Sequence, residues 1–319
     1  MPAPIPDLDS LRARIPPGVR FGTSSWNYPG WRGLVYHQDY GSRGAATRML
    51  REYAAFPLFG TVGIDSSFYA PPSEKILTGF AASLPEKFPC VSKVWHQVTV
   101  HTWTRAQDPA RAGKANPDFL NADVFLEAVW QPYQQYFAGH TGPFVFEFQT
   151  VSRSSGLSAE AFATRLDEFF SALPREGMFA VEIRNDEFLT PAYFAVLREH
   201  GVAHVYSSWT RMPPIGEQLD LPGSLSGTFI VARALLRPGR SYDEAVDAFA
   251  PYDRIQEPNP QLRLDLARLI AAAVEARIPA YVLVNNRAEG SAPNTIAEVI
   301  RLLPGAATPS AATPSAGAA

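Results

Sequence analysis

Between residues 18 and 304, short apolar runs alternate with longer segments in which apolar residues recur every three or four positions. Short, largely apolar runs are the pattern of parallel strands, and the longer periodic segments are the crossover helices that join and cover them. Eight such runs predict strands near Val19 to Gly22, Thr61 to Asp65, Cys90 to Trp95, Phe144 to Phe148, Phe179 to Ile183, Ala203 to Ser207, Thr228 to Arg233 and Ala280 to Asn285. Helix punctuation supports the count. Thr190 before Pro191 reads as an N-cap with proline at the first helical position, and Gly201 is placed to end that helix. Ser241 with Glu244 reads as a capping box, and Asn259 before Pro260 opens a helix carrying Leu262, Leu266, Leu269 and Ala273 on one face. Phe162, Leu166, Phe169, Phe170 and Leu173 form the stripe of an earlier helix, and Ser73 is placed to cap the helix after the second strand.

Eight strand–helix units in about 285 residues match an α/β fold of the (β/α)8 TIM-barrel type in a single domain. The competing arrangement is an open doubly wound sheet, but no G-x-G-x-x-G follows the first strand and no G-x-x-x-x-G-K-[ST] occurs. Residues 1–17 are rich in proline, and residues 305–319 repeat small residues, so both read as loose tails around a barrel domain at 18–304. Two connections are long for a barrel, 96–117 and 234–259, and loops of that length after strands shape or cover an active site.

Composition narrows the function classes. With 28 basic and 31 acidic residues the chain carries no field that would draw it to nucleic acid or anionic lipid. Cys90 is the only cysteine, which excludes an intramolecular disulfide and a thiolate zinc site and fits a reducing cytoplasm. No signal-peptide pattern and no stretch of about 18 apolar residues is present, so a membrane partner is not expected. No sequence feature specifies an oligomeric state.

Strand parity points to the chemistry. In FAVEIR, Phe179, Val181 and Ile183 face the helices, which turns Glu182 and Arg184 toward the barrel interior and its mouth. The same logic turns Glu147 inward in FVFEFQ and Asp65 inward in TVGID, with Gly63 leaving room beneath it, while Lys93 in CVSKVW follows a weaker version of the argument. Charges inside a barrel must pair, bind a ligand or change protonation state. One reading is a structural network in which Lys93 and Arg184 satisfy the carboxylates. The other is a site with Glu182, Lys93, Asp65 and Glu147 as catalytic candidates and Arg184 holding an anionic or electron-rich substrate group.

Rim residues add binding candidates. Ser67 and Tyr69 follow Asp65; Trp26 is either a stacking platform or ordinary packing; Asn285 and Asn286 end the eighth strand, one facing the site and one tying down a loop, with Glu289 beyond them. Arg233 closes the seventh strand, where both faces are apolar and its direction stays open. Of the histidines at 37, 96, 101, 140, 200 and 204, His101 is the best placed, in the loop after the lysine strand. No cofactor is predicted. A divalent metal on Asp65, Glu147 and Glu182 is chemically reasonable, but the cations in the same mouth oppose it. No G-x-S-x-G nucleophile elbow occurs.

Several motifs together resemble the YecE-like family, domain of unknown function 72, related to the xylose isomerase-like barrels. They are GTSSWNYPGW at the first strand, DSSFYAPPSEK after the second, SKVWHQVTVH around the third, AVEIRN at the fifth and VNNRAEGSAPN at the eighth, and the likeness runs from about Arg20 to Leu303. The resemblance implies a TIM barrel and maps family positions onto Trp26, Asp65, Ser67, Tyr69, Lys93, His101, Glu182, Arg184, Asn285 and Asn286. The chain departs from the family pattern at Asp65 and Ser66, where Glu and Asn are usual, at Arg287, where His is usual, and after Arg233, where His-Gly is absent.

The resulting expectation is an isomerase, lyase or hydrolase of a small polar or phosphorylated metabolite such as a sugar, with Glu182 as acid or base and Lys93 and Arg184 binding the substrate. The alternatives are a nucleic-acid-processing or nucleic-acid-binding barrel of the endonuclease IV-like kind, which the charge disfavours, and a barrel that captures a ligand without turning it over.

Overall fold

The computed structural model describes residues 4–41, 44–237 and 239–304. Its centre is an eight-stranded parallel sheet built from β1 Val19–Thr23, β2 Val62–Ile64, β3 Cys90–Lys93, β4 Thr141–Phe148, β5 Phe179–Ile183, β6 Ala203–Ser208, β7 Ile230–Ala234 and β8 Ala280–Val284. The order β1-β8-β7-β6-β5-β4-β3-β2 places each strand beside its sequence neighbour and closes back on itself, which is the (β/α)8 TIM barrel expected. All eight expected strands form, with ends displaced by at most a few residues. No described helix is long and apolar enough to cross a membrane.

The seam between β1 and β2 is the weakest junction. It is held by the Gly60 and Thr61 N–H groups, both donating to Phe21 O, and by the Tyr53 hydroxyl, which accepts from Thr23 N at 2.8 Å and donates to Thr61 O at 3.1 Å. Close approach here requires glycine: a Cβ on Gly22 would sit 2.1 Å from Thr61 O.

Two cores result from the alternation of the strands. The large outer core contains Phe144, Phe146, Phe148, Phe179, Val181 and Ile183, packed under the helices. The small inner core contains Val91, Val145, Ala180, Val205, Val231 and Leu283. The parity assigned to β4 and β5 is therefore the observed one, and Lys93, Glu147, Glu182 and Arg233, each two positions beyond an inner apolar residue, land at the mouth.

The helix signals act as their chemistry requires. Thr190 accepts from Tyr193 N, Asn259 accepts from Leu262 N, and Ser241 and Glu244 form a reciprocal capping box. Gly201 has φ +67° behind the helix Pro191–Glu199. Ser73 sits at an N-cap with extended backbone, but its hydroxyl makes no capping bond.

The N-terminal segment differs from its expectation as a loose tail. Residues 8–13 are helical, Ile5 and Leu11 are buried, and Arg14 donates to Arg301 O and Leu303 O. The cause is legible afterwards: Leu8, Leu11 and Ile15 recur at helical spacing and pack against the core, and this outweighs the flanking prolines. The expected tail at 305–319 lies outside the described residues.

Candidate functional site

Six charged side chains from five strands meet at the carboxyl end of the barrel. Arg233 is at the centre. One Nη2 bond reaches Asp65 Oδ2 at 2.8 Å, and Nη1 reaches Glu147 Oε2 at 2.9 Å and also Glu182 Oε2. Lys93 Nζ lies 2.7 Å from Glu147 Oε2 and 3.3 Å from Asp65 Oδ2. Arg184 Nη2 lies 2.9 Å from Glu147 Oε2 and 3.2 Å from Glu182 Oε1. Because Lys93 and Arg184 both touch the same Glu147 oxygen, their nitrogens are less than twice 2.9 Å apart, within reach of one small molecule.

Three carboxylates against three cations make the cluster neutral, which is what allows it to be buried. Burial alone would raise the Glu147 pKa, but Arg184, Lys93 and Arg233 override it and hold the carboxyl well below its ordinary range. Arg233 is the mirror case: burial favours its neutral form, and Asp65, Glu182 and Glu147 override that and raise its pKa. Both groups are thus fixed in their charged forms.

Access is graded across the cluster. Asp65 is 28% exposed and Lys93 12%, whereas Glu182 is 0% exposed with Oε1 taken by Arg184 and Oε2 by Arg233. Asp65 Oδ1 has no partner among the described residues, because both of its ion pairs use Oδ2. Lys93 lies 5.1 Å from the centre of the Phe68 ring, which forms one wall beside it.

A cavity of about 760 Å³ adjoins the cluster on the β4–β6 side. Its walls come from the long loop after β3 and the exits of β4, β5 and β6, and include His101, Thr102, Gln107, Gln149, Arg184 and Trp209. Arg184 is the one cluster member that reaches it, with its guanidinium 3.8 Å from the centre of the Trp209 ring. His101 is half-buried, and burial followed by the Arg165 charge lowers its pKa, so the imidazole is neutral at pH 7.

The remaining sequence candidates stand outside the charged cluster. Trp26 is buried, gives its indole N–H to Ala46 O and meets Phe80 edge-on. The Ser67 hydroxyl bridges Ile64 O and Lys93 O, stapling β2 to β3. Asn285 Oδ1 accepts from Arg287 N, and Asn286 Oδ1 accepts from Trp31 Nε1 and Ala292 N, so both side-chain oxygens hold loops, while the Asn286 amide nitrogen is buried without a hydrogen bond among the described residues. Glu289 is buried against Arg263 and Asn259 N, anchoring the helix Pro260–Ala276. Tyr69 projects at the rim, edge-on to Phe68.

The position a divalent cation would take among Asp65, Glu147 and Glu182 is held by the guanidinium of Arg233, which contacts all three. These residues do not fit a metal while that arginine is among them. Among the described residues no other group of three metal-ligating side chains is assembled.

Gln149 and Trp209 were not among the sequence candidates. They lie two residues beyond Glu147 and Ser207, so inward parity continued past the strand ends reaches both. Gln149 is fixed by a 2.5 Å bond from Gln107.

Comparison with known proteins agrees with this architecture. The model of the family described as protein of unknown function DUF72 matches residues 20–317. A crystal structure of a DUF72 family protein from Enterococcus faecalis V583 superposes with a TM-score of 0.59 at 16% identity, covering 89% of this chain and 95% of that one. One from Thermotoga maritima MSB8 gives 0.58 at 17% identity, covering 89% and 97%. At these identities the likeness concerns the fold. No curated protein sequence matches the chain.

Proposed function

We propose, from the premise that this chain belongs to the DUF72 family, that it is an acid–base enzyme of a small polar, hydroxyl-bearing metabolite such as a sugar, bound at the carboxyl end of the barrel. One observation carries this reading. A closed network of six charges leaves Asp65 Oδ1 and the Lys93 ammonium at its open edge, while the rest of the network holds them in place. Asp65 is then the proton acceptor and Lys93 the group that stabilises negative charge developing on a substrate oxygen. Glu182 and Glu147 act by positioning: with both its oxygens held by arginines, Glu182 is remote from a substrate, and Glu147 is held ionised and fixes Lys93.

Proton abstraction beside a carbonyl leaves a signature that needs no knowledge of the product. Sugars, sugar acids and their phosphates incubated with the protein in D2O should exchange a carbon-bound hydrogen, detected by mass spectrometry. Asp65→Asn should reduce that exchange by a factor of about 10² to 10⁴ while leaving the fold intact. Exchange that survives the substitution would overturn the assignment. Tight binding to single-stranded or abasic DNA that weakens steeply with salt, with no exchange on any metabolite, would replace it by a nucleic-acid role.

A further inference from the structure

The Arg184 guanidinium faces two ways. Its Nε and Nη2 edge holds Glu182 and Glu147, its face lies on Trp209, and Nη1 carries no hydrogen bond among the described residues. The side chain is 8% exposed and lines two cavities, of about 760 Å³ and about 420 Å³, which also share Thr150, Val151 and Ser152. They are therefore two lobes of one cleft with Arg184 at the junction. The larger lobe has no carboxylate among its lining residues. Its polar groups are hydroxyls and amides, together with a histidine kept neutral by burial. The smaller lobe adds Arg153 and Arg211 against Asp186 and Glu187, and Glu187 is turned to Asn185 and Arg153. A buried guanidinium held in a fixed plane at the junction of the two lobes, with its Nη1 N–H pair unbonded among the described residues and the larger lobe free of lining carboxylates, is a receptor for an oxyanion.

We propose that the ligand of this cleft is a phosphorylated, hydroxyl-bearing small molecule, with its phosphate on Arg184 Nη1 beside the Ser152 hydroxyl and its polyol chain directed toward Lys93 and Asp65. The proposal rests on the small-metabolite reading of the mouth and names the substrate class. Both cations it uses touch Glu147, so one carboxylate sets the distance between the anchor and the reacting end. Arg211, exposed in the smaller lobe, supplements the charge and carries no part of the buried network.

The test is calorimetric titration of the full chain with inorganic phosphate, D-ribose and D-ribose 5-phosphate. The phosphate ester should bind at least about tenfold more tightly than ribose, as a charge-assisted bond to phosphate requires, and inorganic phosphate should compete with it. Arg184→Lys keeps the charge but loses the fork, and should remove most of that preference. Arg211→Ala, at an exposed position that leaves the fold undisturbed, should weaken the ester severalfold with ribose unchanged. Equal affinity for ribose and its phosphate, or failure of millimolar inorganic phosphate to bind or compete, overturns the proposal. Phosphate binding in Asp65→Asn separates the two readings: retained binding without hydrogen exchange on any metabolite in the wild type sinks the acid–base role alone, whereas hydrogen exchange without phosphate preference sinks the anion site alone.

Discussion

Two buried titratable residues of this barrel respond to acid in different windows, and the signs follow from their surroundings. His204 points outward from β6 into the outer core, with Nδ1 3.0 Å from the Tyr193 hydroxyl and Nε2 3.2 Å from Gln218 Oε1. Gln218 spends its amide N–H groups on Ser207 O and Pro213 O, so its oxygen accepts and His204 Nε2 carries the proton of a neutral ring. Burial pushes the His204 pKa from 6.5 down to about 4. Between those values the unfolded chain takes up a proton that the folded chain refuses. The stabilisation is complete above pH 6.5 and is lost as pH falls toward 4, by about 3 kcal/mol in all. Glu147 is shifted in the lowering direction as a carboxylate, so its contribution is present above 4.5 and is lost only as pH falls below that value. Urea denaturation at pH 7, 6 and 5 should therefore show stability already declining, and His204→Gln should flatten the decline while lowering stability at pH 7. An unchanged slope in the variant would show that the loss originates elsewhere. Residue-scale legibility was uneven for a physical reason. Alternation in FVFEF and FAVEI distinguishes the two faces, so Glu147 and Glu182 could be turned inward from sequence. Arg233 sits in IVARA, where both faces are apolar, and only its register between Ser207 and Leu283 shows that it points into the barrel.

At the scale of elements, glycines separate positions where the backbone needs space from positions where it does not. Gly22 of β1 lies against Thr61, and the nearest obstacle to an added methyl is a carbonyl oxygen of the backbone at 2.1 Å, which cannot swing aside. Gly79, inside the helix Glu74–Ala81, has nothing within 4 Å of the same added atom. Gly22→Ala should destabilise the fold by about 1–3 kcal/mol or more, whereas Gly79→Ala should stabilise it by up to about 1 kcal/mol through helix propensity. Chemical denaturation of the pair checks both signs, and a neutral Gly22→Ala would mean that β1 and β2 can separate without cost. Strand positions were legible because parallel strands covered on both faces read as short, largely apolar runs, broken only where a residue turns to the mouth. The exits were harder. Asn285 and Asn286 end a buried strand, but the sequence does not say that Trp31, 255 positions away, supplies a partner for Asn286. The N-terminal helix hides behind its flanking prolines, and only the spacing of Leu8, Leu11 and Ile15 signals a packed face.

For the molecule as a whole, closure of the barrel is uneven. Strands β4 and β5 pair over five positions from Phe144–Phe179 to Phe148–Ile183, and every other neighbouring pair from β2 round to β1 through β8 has a parallel ladder, from two registered positions at β5–β6 to five at β1–β8 and β7–β8. Only the β1–β2 seam is bridged by two backbone bonds to one carbonyl and by a tyrosine hydroxyl standing in for a ladder bond, among the described residues. The Thr23 N–H donates to that hydroxyl and not to a strand neighbour. Opening of a barrel requires the loss of one junction, and the junction with the fewest backbone bonds opens at the lowest free energy. Asp65, the residue proposed to react, begins the turn after β2, so this seam borders the site. Native-state hydrogen exchange should show lower protection at Thr23, Gly60 and Thr61 than across β4 and β5. Tyr53→Phe deletes the bridging oxygen and leaves the ring in place, so it should accelerate exchange at Thr23 selectively, with β4 and β5 unchanged. Uniform acceleration throughout the sheet would mean that the seam opens only with the whole barrel, and that the tyrosine bridge contributes to global stability without setting a local weak point.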